Sequence, residues 1–167
     1  CYDHEAACAI SGAPLPTLRA LVDKSLLQTV AGGRFEMHEL LGQFAGEMLE
    51  RSPEASRGAR ERHAAHYMGQ LSRLDPRSRA GSWAAVVAAL RLDIEDARAA
   101  WEWSAAQGDV PRLEGAVAAL CWFYQSEGRT QEGIEACDLA LAIEAPPSWA
   151  LGVTRWPYLR GQALTWK

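Results

Sequence analysis

The chain has 167 residues, 49% of them hydrophobic and 23% charged, with a formal charge of −4. That composition is globular rather than disordered, and the length can bury a substantial core. The acidic balance argues against a generic nucleic-acid binder, which needs a strong positive field to displace counterions from phosphate.

The charge is unevenly spread. Residues 1–50 are net −4, residues 51–79 net +4 and residues 80–167 net −4, and all seven tryptophans fall between Trp83 and Trp166. Such shifts suggest two modules and a basic connector. The first module opens with an apolar-rich stretch, Asp3–Ile10, that reads as a helix ended by Ser11-Gly12. Pro14 and Pro16 mark the next start, and Leu18, Leu21 and Val22 recur at helical spacing up to Lys24. The run Leu26–Val30 is strand-like, Ala31-Gly32-Gly33 supplies a turn, and Arg34–Met37 returns. Two short runs around a Gly-Gly turn predict a β-hairpin, because glycine tolerates positive φ. From His38 onward Leu41, Phe44, Ala45, Met48 and Leu49 form one helical stripe.

Helix, helix, hairpin, helix is most of a winged helix-turn-helix. The helix in the DNA-reading position offers only Arg19 and Lys24, and the hairpin only Arg34 near its tip. DNA-binding wings and recognition helices carry more cations than that, so packing or switching is preferred here over base reading.

Ser52-Pro53 predicts a new helix start, and residues 54–74 read as one helix with Ala64, Tyr67, Met68, Leu71 and Leu74 as its stripe. Arg57, Arg60, Arg62 and Arg73 lie largely off that stripe and read as a solvated face, a phosphate-binding surface being the minority reading. His63 and His66 share a face, but no carboxylate or thiol is placed to complete a metal site.

The last module carries a degenerate repeat. A shift of 34 residues, the tetratricopeptide period, carries Val86 to Leu120, Ala99 to Gly133, Trp103 to Cys137 and Ala106 to Ala140. The middle copy is the clearest. Leu120 and Tyr124 sit on its first helix, Gly128 in the turn, Gly133 at the helix crossing and Ala140 near the end, with Pro146-Pro147 beyond. Helices are expected near 82–107 (open to a break around Leu92-Asp93), 111–127, 130–144 and 148–165, the last interrupted by Pro157. Trp149, Trp156 and Trp166 are expected to pack against further repeats. The tryptophan stripe is read as core filling, with a ligand surface as the alternative.

The fold class expected is therefore mainly α. Residues 1–51 form an N-terminally incomplete winged helix, 52–79 a connector helix and loop, and 80–167 C-terminally incomplete, tetratricopeptide-like antiparallel helix pairs. The chain does not open with Met and stops on Trp-Lys, so it is expected to be a piece of something longer. No apolar run approaches the roughly 20 residues of a membrane span, and no signal peptide is present. Cys1, Cys8, Cys121 and Cys137 make no CxxC pair and no zinc-spaced cluster, which fits a reducing cytoplasm better than a disulfide framework.

Catalysis has little to stand on. GxSxG, HExxH and GxxxxGK[ST] are all absent, and carboxylate pairs such as Asp93/Asp96 and Glu132/Glu135 have routine helical surface spacing. The expectation is no enzyme activity, no catalytic residue, no metal and no cofactor within these residues.

Several words carry a resemblance. These are Glu5-Ala6-Ala7, Leu18–Leu27 (LRALVDKSLL), Gly33–Leu41 (GRFEMHELL), Gln43-Phe44-Ala45 and the Arg60–Tyr67 word (RERHAAHY). The words up to Ala45 resemble the winged-helix domain of the NB-ARC/STAND (AP-ATPase) class of signal-transducing NTPases, as found in large bacterial transcriptional regulators and multidomain cyclases, and the Arg60–Tyr67 word of the connector resembles the same bacterial regulators. Leu92–Trp103 and Gln131-Glu132-Gly133 resemble the helical region that follows in those regulators. Met37-His38-Glu39 is similar to the class's Met-His-Asp motif, with Glu in place of Asp. The resemblance implies that His38 contacts the ADP phosphate in the intact parent, where ATP/ADP with Mg would be the cofactor. The alternative is that His38 only starts its helix and packs under the wing.

The resemblance also implies two kinds of partner. One is the chain's own upstream nucleotide-binding domain, restrained by the winged helix. The other is a protein or peptide sensed by the helical repeats. A plain helical-repeat scaffold is the alternative, and winged-helix DNA binding comes third. No direct nucleic-acid or membrane partner is expected.

Overall fold

The computed structural model describes residues 2–74 and 83–143. Among them are seven α-helices and one two-stranded antiparallel hairpin, so the protein is mainly α with a single hairpin near the N-terminus. The expected helix over 148–165, Pro157, Trp149, Trp156 and Trp166 lie outside the described residues. The chain divides into two compact units, Cys1–His66 and Tyr67–Lys167.

In the first unit α1 spans His4–Ser11 and α2 spans Leu15–Asp23. Asp3 caps α1 by accepting from the Ala6 N–H at 2.7 Å, and Gly12 closes it in the left-handed region at φ +72°. Pro16 sits in the first turn of α2, where its missing N–H costs nothing. Strands β1 (Gln28–Val30) and β2 (Arg34–Glu36) pair with Thr29 opposite Phe35, joined by a 3-10 turn over Ala31–Gly33. Gly32 and Gly33 take φ +76° and +71°, the geometry that the Gly-Gly pair predicted. Tyr2 adds a bridge to the hairpin: its N–H donates to the Phe35 carbonyl at 2.9 Å, and the Phe35 N–H returns the bond at 2.7 Å. Leu18, Leu27 and Phe35 form the core, with Leu15, Leu21, Val22 and Met37 packed around it.

Helix α3 spans Glu39–Glu50 and buries none of its residues. Of its apolar stripe, Leu41 is half-buried while Phe44, Ala45, Met48 and Leu49 are exposed, Phe44 by 60%; Leu40, beside the stripe, is 68% exposed. The periodicity was legible in the sequence. The stripe's burial is not seen among the described residues.

Helix α4 runs over Pro53–Arg73 and carries the boundary between the two units. Ser52 accepts from the Ala55 N–H at 3.4 Å, and Pro53 opens the helix, as their order in the sequence predicts. Ala64, Tyr67, Met68 and Leu71 are fully buried, whereas Arg57, Arg60, Arg62 and Arg73 are exposed. Within the first unit Arg62 donates through Nε to the Ile10 carbonyl at 2.7 Å, placing a cation at the C-terminal end of α1.

The second unit contains α5 (Trp83–Ala106), α6 (Val110–Ser126) and α7 (Thr130–Leu141), each packed against the other two. Both connections are the same device. Gly108 and Gly128 take φ +66° and +68°. The residue after each glycine donates back five residues, Asp109 to Ser104 and Arg129 to Tyr124, both at 2.9 Å. This is the Schellman closure, and it turns each helix back with a three-residue connection.

The break considered around Leu92-Asp93 is absent: α5 is continuous. One period before Gly128 stands Ile94, which is 5% exposed. A β-branched residue there cannot take the left-handed conformation that the turn needs, so the helix passes through and the side chain enters the core. Trp101, Phe123, Tyr124, Leu113, Leu120 and Val117 fill that core. Trp101 and Tyr124 thus serve packing, while Trp122 is 44% exposed.

Candidate functional site

His38 is held at the junction of hairpin and helix. Met37 before it packs against the Leu18–Leu27–Phe35 core, and His38 itself is the exposed N-cap of α3. Its Nδ1 accepts from the Leu40 N–H at 3.3 Å. An accepting Nδ1 puts the proton of the neutral ring on Nε2, so the imidazole presents an N–H donor to solvent. The first-turn N–H groups and partial positive charge of α3 lie beside it, an arrangement that suits an anion. Of the alternative reading of His38, that it starts its helix and packs under the wing, the first half is observed and the second is not. The phosphate contact requires a domain that these residues do not contain.

Arg19 on α2 and Lys24, its C-cap, are exposed, and a groove of about 510 Å3 between α2 and the hairpin is walled by Leu15, Val22 and Phe35. Arg19 and Asp23, four residues apart on one face of α2, both line that groove. His63 and His66 are both half-buried on α4, and no group of three metal-ligating side chains gathers among the described residues.

In the second unit polar side chains tie the helices together. Arg91 on α5 grips Glu127 with two bonds, Nε to Oε2 at 2.5 Å and Nη2 to Oε1 at 2.8 Å. That bidentate pair holds the Glu127 carboxyl below its ordinary range. Arg129 donates to Glu132 through Nε at 2.6 Å and to Glu95 through Nη2 at 3.2 Å, and its guanidinium lies 5.6 Å from the centre of the Tyr124 ring. Burial, and then the charge of Glu132, push the Tyr124 hydroxyl up to about 12. Cys121 and Cys137, both buried, bring their sulfurs to 3.8 Å. Their shared hydrogen bond, and then burial, push the Cys121 thiol well above its ordinary value, which keeps it protonated.

A second groove, of about 410 Å3, lies between α5 and α7. Its floor is Trp101, Ala136 and Leu139, and carboxylates line its edges.

Sequence reasoning missed this groove, the Cys121–Cys137 approach and the Arg91–Glu127 clamp. A usable signal existed for the clamp. Contacts between α5 and the α6–α7 hairpin join residues about one repeat apart: Glu95 with Arg129, Trp101 with Ala136, Arg91 with Glu127. Opposite charges at that separation could have been searched for.

No protein-family model, no curated protein and no solved structure matches this chain. No helix among the described residues is long and apolar enough to cross a membrane.

Proposed function

We propose that the chain is the non-catalytic regulatory and interaction part of a STAND-type signalling NTPase. Its winged-helix head restrains an upstream nucleotide-binding domain in the ADP state, and its helical unit receives a protein partner. One observation carries this reading: His38 caps α3 through Nδ1 and so aims its Nε2–H outward beside an uncovered helix N-terminus. A phosphate accepts from such a donor and is favoured by the helix dipole. The exposed Leu40–Phe44–Met48 face of α3 offers the restrained domain an apolar surface to sit on. ATP/ADP and Mg then belong to the parent, with ADP touching this chain only at His38. A cytoplasmic location follows from the same reading.

The coding sequence upstream of Cys1 tests it. A P-loop and a Walker B strand there are the expected result. An upstream region with neither removes the nucleotide restraint and leaves the second reading, a helical scaffold for protein binding, which the apolar-floored groove between α5 and α7 favours. DNA binding by the head is disfavoured by the net charge of −4 over residues 1–50. A gel shift at physiological salt is expected to show no complex.

A further inference from the structure

The α5–α7 groove combines two features that seldom sit together on a solvated surface. Its wall is mostly apolar. Leu139 lines it and is 43% exposed, and Trp101, 1% exposed, backs it from the interior, where its indole N–H donates to the Ala136 carbonyl at 2.9 Å. Glu132, Glu135, Ala136 and Leu139 follow helical spacing, so one face of α7 delivers both the acids and the apolar floor.

The rim is one-sided in charge. Glu102 comes from α5, and Glu135 and Asp138 from α7. Arg98 is the one cation lining the groove among the described residues, and it is already shared between Glu95 and Glu102 at 3.6 and 3.5 Å. Glu132 is engaged by Arg129. A second copy of this chain fits poorly here, since isologous pairing across the groove would set acid against acid.

We propose that this groove docks a basic, apolar-anchored segment of another protein: an aliphatic side chain seated on Leu139 between arginines or lysines that reach Glu102, Glu135 and Asp138. The inference rests on the helical unit being a protein-binding surface and is independent of the His38 restraint, which is read out by ADP release.

The test uses the whole chain and a short fluorescein-labelled peptide in which leucine recurs every three or four positions between arginines, followed by anisotropy. Saturable binding is expected. The double reversal Glu135→Lys/Asp138→Lys should weaken it by roughly tenfold or more, and Leu139→Ser by about fivefold. The reversal Glu47→Lys/Glu50→Lys on α3 changes net charge equally and should leave binding nearly unchanged. Circular dichroism melts confirm that each variant is folded, and Leu139→Ser decides the matter if the double reversal is not. Four results overturn the proposal: no saturable binding, equal weakening by the α3 reversal, equal binding of a glutamate-for-arginine peptide, or a dimer in light scattering that the Glu135/Asp138 reversal dissociates.

Discussion

The indole N–H of Trp101 on α5 donates to the carbonyl of Ala136 on α7, 2.9 Å away in the interior of the helical unit. Trp101 is 1% exposed. Replacing it with Phe keeps an aromatic filler but removes the donor, and should cost about 1–3 kcal/mol. Trp101→Ala adds a cavity and should cost about 3–5 kcal/mol. Urea unfolding followed by far-ultraviolet circular dichroism measures both, and equal midpoints for the Phe variant and the parent would remove the bond from the account.

The left-handed turn positions predict effects of opposite sign. Ser25 closes α2 at φ +59°, where its N–H donates to the Val22 carbonyl and the Leu26 N–H to the Leu21 carbonyl, both at 2.9 Å. A residue with a Cβ is strained there, so Ser25→Gly should stabilise the chain by about 0.5 kcal/mol after the entropy that glycine adds to the unfolded state. Gly128→Ala meets no atom within 4 Å, yet should destabilise by about 1–2 kcal/mol through backbone conformation alone. Thermal melts of the two variants, moving in opposite directions, are the expected result.

The Arg91–Glu127 pair predicts a pH dependence. Its arginine partner lowers the Glu127 carboxyl relative to the unfolded chain. A depressed carboxylate contributes stability above its unfolded value, about 4.3, and loses it as pH falls through the lower folded value. Glu127→Gln should therefore flatten the acid limb of the stability profile below about pH 4.3 and change little there on adding Arg91→Ala. Because Arg91 is 61% exposed, added salt should shrink the difference.

Local rules made most of the fold legible. Gly32-Gly33, Gly108 and Gly128 are turn residues that sequence alone marks, and all adopt positive φ. Ser52-Pro53 announces α4 for an equally local reason. The helix expected over 82–107 is present, and Ile94 is why it runs unbroken past Leu92-Asp93: one period before Gly128, its β-branched side chain cannot make the turn. The Tyr2–Phe35 bridge has no pattern, being a single pair. Cys121 and Cys137 meet only because two helices cross at that level, which spacing along the chain does not encode. His38 was singled out by its neighbours in sequence, but which nitrogen it spends on the cap required coordinates. For α3, the amphipathic stripe marks the helix but not what would cover it, and a helix of 12 residues burying none of them takes little from tertiary packing.

The restraint by His38 is tested most directly by His38→Asp in the intact parent. Aspartate is among the best N-caps and suits the helix dipole, so α3 should be kept or strengthened, by about 0.5–1 kcal/mol in this chain. The same change replaces an outward N–H donor with a negative charge beside the proposed phosphate site. Release of labelled ADP from the parent should accelerate by roughly tenfold or more, with raised basal signalling. A folded variant that releases ADP at the parental rate would contradict the account.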